Sequence, residues 1–140
     1  MKSLYIDGQA GAAGDMILGA LIDLGVDPKE IAAVLRPIVP SEFKLDVTRV
    51  SPNGIAATHV HVSVPEDVKH RHLPQLHDLL AKGKLSTTVQ NRVKGIFRRL
   101  ALAEAKIHSS TVEQVHFHEV GANDAIIDIV GSVWALDRLG

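Results

Sequence analysis

The sequence predicts an α+β domain: a ferredoxin-like, βαββαβ-type sheet with helices packed on it and an extra C-terminal helix. Three observations carry this. Residues 43–49 and 58–64 alternate apolar and polar side chains around Pro52-Asn53-Gly54, the mark of a hairpin. Apolar residues recur with helical period within residues 17–24, 31–35, 73–80, 89–107 and 123–139. Two short runs, Leu4-Tyr5-Ile6 and the segment of Val115 and Phe117, supply the remaining strands. If the second of these is loop, an α/β sandwich is the alternative.

Composition narrows the class. With 140 residues and 46% hydrophobic content, the chain can build one core, so residues 1–140 are read as a single domain. A net charge of -1 with 22% charged residues points to neither a general nucleic-acid binder nor a membrane binder. Without cysteine there is no disulfide framework, no thiolate zinc site and no cysteine nucleophile. The start turns acidic at Asp7, too early for a signal peptide, and no apolar run approaches a membrane span. A cytoplasmic location is the expectation.

Taken in order, Leu4-Tyr5-Ile6 reads as a short buried strand ending at Asp7. Glycines at 8, 11 and 14 follow, then Ile17, Leu18, Leu21, Ile22 and Leu24 at helical spacing, stopped by Gly25. Such a strand, glycine turn and helix start exposes backbone N–H groups that suit phosphate. It has neither the P-loop lysine nor the dinucleotide spacing, and a turn that lets the helix pack closely on the sheet explains it equally. Asp27 as N-cap and Pro28 at the first position open a second helix that ends near Pro37 and Pro40. In the hairpin, Val60, Val62 and Val64 face one way; His59, His61 and Ser63 face the other, as the wet side. Residues 65–72 form a polar loop in which His70 and His72 are solvated or bind metal loosely. Leu73, Leu76, Leu79 and Leu80 make a short helix broken near Gly83. Ser86 caps a long helix with a stripe of Val89, Val93, Ile96, Phe97, Leu100 and Ile107, and Arg92, Lys94, Arg98 and Arg99 make its solvated basic face. The last helix spans about 123 to 139 and is apolar around most of its circumference, so it expects cover on several sides. The chain reaches Gly140 with no further element to cover it, so a longer protein or a homo-oligomer is expected to do so.

The chemistry concentrates in residues 115–128. His116 and His118 are two apart, so in an extended backbone they share a side while Phe117 points into the core. Gly121 allows a turn. Asp124 and Asp128 are four apart, on one face of the last helix. Imidazole and carboxylate are the ligands a first-row divalent metal accepts without thiolate. The alternatives are an exposed His-x-His pair with no task and two aspartates meeting a helix dipole.

These residues resemble the N-terminal part of the nickel-insertion proteins that make the nickel-pincer nucleotide cofactor of lactate racemase. Three blocks carry the resemblance: Asp7 with Gly11, Gly14-Asp15-Met16 and Leu18-Gly19-Ala20-Leu21; the Asn53-Gly54-Ile55 hairpin with the histidine loop behind it; and residues 115–122 running through Asp124 to Asp128-Ile129-Val130-Gly131. The resemblance covers essentially the whole chain. It implies an N-terminal domain, residues 1–140, of a longer nickel chelatase (a lyase). The reaction it implies is CTP-dependent insertion of nickel into pyridinium-3,5-bisthiocarboxylic acid mononucleotide, with one carbon–nickel and two sulfur–nickel bonds formed. CTP and its divalent cation then belong to a C-terminal domain, and lactate racemase is the downstream partner. Gly8, Ala10, Ala13 and Ala125 depart from residues usual in that family, and the lost hydroxyls remove possible phosphate contacts.

The expected site follows. His116, His118, Asp124 and Asp128 hold Ni²⁺. Glu119 and Asp15 handle protons, with Glu119 as the base that accepts the proton lost when carbon bonds to nickel. Asp7, Gly11 and Gly14 line the same pocket for the substrate. A non-catalytic nickel-binding or scaffold domain, and a nucleotide-processing enzyme with Mg²⁺ on the acidic pair, are the competing readings.

Overall fold

One helix, α5 (Asn123–Leu139), collects the rest of the chain around it. In the computed structural model, residues 3–9, 11–65, 71–117 and 122–140 are described. They form α1 (Gly14–Asp23), α2 (Pro28–Leu35), β1 (Lys44–Val50), β2 (Ala57–Ser63), α3 (Leu73–Ala81), α4 (Thr87–Ile107) and α5. The α+β class holds: five helices accompany a two-stranded antiparallel sheet. No described helix is long and apolar enough to cross a membrane.

Local chemistry explains most boundaries. Asp27 accepts from Lys29 N at 2.8 Å and Pro28 supplies a pre-set φ, so α2 begins there. Ser86 Oγ accepts from Val89 N at 3.2 Å and starts α4. Asn53 (φ 52) and Gly54 (φ 81) take the left-handed turn between β1 and β2. The resulting register pairs Leu45 with Val62 and Val47 with Val60 on the packed face. Asp46 with His61 and Thr48 with His59 stand on the exposed face, as expected of a half-wet hairpin.

Helix α1 lies against β2 so closely that a Cβ on Gly19 would stand 2.5 Å from Thr58 O. At its far end Asp23 accepts from Thr58 Oγ1 at 2.8 Å and pairs with Arg49. The Thr58 bond, with help from Arg49 and against a smaller effect of burial, holds the Asp23 carboxyl below its usual range. Helix α5 packs on α1, α2 and α4. Ile126, Ile127 and Val130 are fully buried, and Gly131 admits Leu18, Ile31 and Leu35. The acidic-then-small stripe of α5 therefore ends on a close-packed neighbour.

Several expectations are corrected. Residues 4–6 do not form a buried strand: Leu4 is 48%, Tyr5 84% and Ile6 56% exposed. An apolar run cannot make a strand without a neighbour to bond its backbone, and no described segment offers a ladder there. Residues 115–117 alternate as expected, with Val115 and Phe117 buried and His116 exposed. They form no extended strand, however; Phe117 makes an isolated antiparallel bridge with Arg71. Among the described residues the sheet therefore holds only the two strands of the hairpin, half of the expected four. On α4 the buried stripe is Val89, Val93, Phe97, Ala101 and Ala105, whereas Ile96 and Ile107 are exposed. Strict four-residue spacing holds one seam against the core, and the two isoleucines fall off it. Finally, α5 buries much of its apolar circumference against α1, α2 and α4, while Leu136 stays exposed.

Candidate metal-handling site

The N-terminal ends of α1 and α5 meet, and three carboxylates converge there. Asp15 lies in the first turn of α1 and its Oδ1 accepts from Met16 N at 2.7 Å. Asp124 does the same in α5, accepting from Ala125 N at 2.8 Å. Both positions stand at the positive ends of helix dipoles. Asp128 follows one turn later on α5, half-buried. Its carboxyl is pushed up to about 6, first by burial and then by the negative charges of Asp15 and Asp124. Its Oδ1 is buried with no hydrogen-bond partner among the described residues.

Gly14 is what permits the approach. A Cβ there would lie 2.3 Å from Asp128 Oδ2 and 2.4 Å from Asp128 Cβ. The other end of the junction is fixed by Asn123, buried, whose Nδ2 donates to Ser41 Oγ. Asp124 and Asp128 thus share a face as their spacing predicts, and Asp15 joins them, which the separation in sequence does not reveal.

The remaining candidates are placed as follows. Asp7 accepts from Gln9 N at 3.0 Å, and with Gly11 it lines a largely apolar cleft of about 430 Å³ walled by Leu4, Ile6, Met16 and Leu24. Asp15 lines a different cleft, of about 420 Å³, with Gly19, Asp23, Thr58 and His59. Asp7 and Gly11 line the first cleft and Asp15 the second, and the two adjoin along Met16, Ala20 and Asp23. His116 is exposed beside the buried Val115 and Phe117, and its ring lies tilted against that of His72 with centroids 4.1 Å apart. His118, Glu119 and Gly121, together with His70 and Ala10, lie outside the described residues. Among the described residues no group of three or more His, Cys, Asp or Glu side chains is arranged to hold a metal ion.

His72 is the residue that sequence reasoning undervalued. The sequence places it in a polar loop that is solvated or binds metal loosely, yet it is half-buried, and its neighbour Arg71 is only 7% exposed. The one available signal was the apolar run that starts at Leu73 immediately behind it.

Comparison with known proteins gives this geometry its context. The family model described as nickel insertion protein matches residues 4–140. Three curated relatives carry the name pyridinium-3,5-bisthiocarboxylic acid mononucleotide nickel insertion protein. That of Staphylococcus epidermidis is 44% identical over 139 residues, 99% of this chain and 35% of its own length. That of Desulfitobacterium hafniense is 44% identical over 140 residues, 100% of this chain and 35% of its own. That of Geobacillus kaustophilus is 42% identical over 149 residues, 99% of this chain and 36% of its own. No solved structure matches. The chain thus spans about a third of the length of these relatives, and over that third it belongs to the nickel insertion protein family.

Proposed function

We propose that this chain is the metal-handling part of a nickel chelatase that inserts nickel into pyridinium-3,5-bisthiocarboxylic acid mononucleotide, the reaction its relatives are named for. The observation that supports it most is Asp128. A half-buried carboxyl whose buried oxygen has no partner among the described residues, and which feels the negative charges of Asp15 and Asp124, is costly in the metal-free chain. A divalent cation there supplies the missing partner and offsets the repulsion. Nickel is the cargo of this reaction. Asp124 and Asp128 offer it oxygen, and His116 and His118 offer nitrogen, a set from which softer thiocarboxylate sulfur can take the ion.

Insertion replaces a ring C–H by carbon–nickel and adds two sulfur–nickel bonds, so one proton leaves the carbon. Glu119 is assigned to accept it, with Asp15 beside the junction as the second proton-handling group. Asp7, Gly11 and Gly14 hold the mononucleotide. CTP and its divalent cation are assigned to the part of the relatives that this chain does not span. Lactate racemase, in the cytoplasm, would receive the finished cofactor.

The test is a reconstituted reaction. This chain is mixed with the remaining part of the Staphylococcus epidermidis relative, CTP, Mg²⁺, Ni²⁺ and the pyridinium substrate, and the product is read by mass spectrometry. Nickel-bearing product is expected only when both parts are present, and a His116→Ala/His118→Ala variant should lose it. Product formed equally well without this chain would assign it a scaffold role instead.

A further inference from the structure

The isolated bridge between Arg71 and Phe117 brings a second imidazole to His116. Phe117 N donates to Arg71 O at 2.9 Å. Phe117 itself is fully buried, edge-on to Phe97 at 6.4 Å between ring centroids, so this bridge is anchored in the core. In an antiparallel pairing, the residue after Arg71 stands opposite the residue before Phe117. Those two residues are His72 and His116. Their ring centroids lie 4.1 Å apart with planes inclined at 46°.

His72 is also oriented. Its backbone N–H donates to Gln75 Oε1 at 2.8 Å at the start of α3. Its Nδ1 lies 3.1 Å from Val115 O. The His72 side chain also faces Gln75 N in the capping box that opens α3. Backbone contacts of this kind hold the ring in one orientation, as the outer partners of metal-binding histidines do. Two imidazoles that share one divalent ion in cis positions, with metal–nitrogen bonds of about 2.1 Å, hold their centroids roughly 4–5 Å apart. The observed spacing falls in that window before any metal is added.

We propose that His72 is a nickel ligand acting together with His116. This deepens the nickel-handling reading above and rests on it. Arg71 and His72, at the start of α3, then form one side of the site, and the segment of Val115 to Phe117 the other.

The test uses the 140-residue chain with nickel sulfate as the probe. Histidine ring signals are followed by nitrogen-15 NMR, and affinity is measured by calorimetry. The variants are His72→Ala, His72→Asn, His116→Ala, and a His59→Ala/His61→Ala control on the exposed hairpin face. Asparagine keeps an N–H for Val115 O but removes the imidazole, so it separates ligand loss from loss of the loop anchor. Circular dichroism establishes that each variant is folded. The ring signals of His72 and His116 should broaden first. Both His72 variants should lose at least about tenfold in nickel affinity, the scale on which even outer partners of metal ligands act. The control should bind as the parent does.

Nickel binding at parental strength in His72→Asn, together with loss in His116→Ala, would overturn the role of His72 and leave the wider nickel reading standing. A parent chain that binds no nickel would overturn both.

Discussion

Replacing Asp128 with asparagine is expected to stabilise the metal-free chain at pH 7.5 while weakening its hold on nickel. The Asp128 carboxyl titrates at about 6 in the folded chain, against 3.8 for a free side chain. Between those values the folded chain binds the extra proton, so stability is greatest below about pH 4, falls as pH rises toward 6, and stays at the lower level above. Each unit of such a shift corresponds to about 1.4 kcal/mol. For a half-buried group, solvent screening leaves about 1–2 kcal/mol of it. Asparagine has no proton to lose, so the variant escapes this cost. Thermal unfolding at pH 7.5 should rise by about 3–7 °C over the parent, and the difference should vanish near pH 4. A lower melting temperature at pH 7.5 would mean that charged Asp128 makes a favourable contact in the fold, and its assignment as a strained ligand would fail.

The Gly14→Ala variant should be hurt in both stability and nickel binding. The new methyl would lie 2.3 Å from Asp128 Oδ2 and 2.4 Å from its Cβ. A rotated carboxyl could clear the first contact, but Asp128 Cβ moves only with the α5 backbone. The two helices must part at their N-terminal ends, at about 2–3 kcal/mol for overpacking a close contact. Alanine recovers little of this through helix propensity, because Gly14 is the first residue of α1. Melting should fall by about 6–10 °C. Gly95→Ala is the matched control: nothing lies within 4 Å of that position in the middle of α4, so it should be neutral or stabilising by up to about 1 kcal/mol. Equal melting temperatures for Gly14→Ala and the parent would show that the α1–α5 junction is looser than this packing requires.

Where caps and periodicity are local, the fold was legible in the sequence. Asp27-Pro28, Ser86 and Asn53-Gly54 each set a boundary through contacts within a few residues, and α5 spans the range its pattern indicates. Legibility failed where partners are distant. Residues 4–6 look like a strand in hydrophobicity, but a strand exists only with a neighbour. Ile96 and Ile107 match a helical period, yet the seam on α4 is too narrow to bury them. In the site, the shared face of Asp124 and Asp128 follows from helix geometry alone. Two further pairings do not: Gly14 against Asp128 depends on how two helices cross, and His72 against His116 depends on a bridge between segments more than forty residues apart in sequence. Alternation did place Phe117 inward and His116 outward, because a two-residue period needs no partner to be read.

The most direct measurement is a calorimetric titration of Ni²⁺ at neutral pH into this chain, its His116→Ala/His118→Ala variant and its Asp128→Asn variant, with Mg²⁺ alongside. Saturable nickel binding by the parent, weakened at least about tenfold in both variants and not matched by Mg²⁺, is the predicted result. Nickel binding of unchanged strength in both variants would contradict the assignment of residues 115–128 as the metal-handling centre.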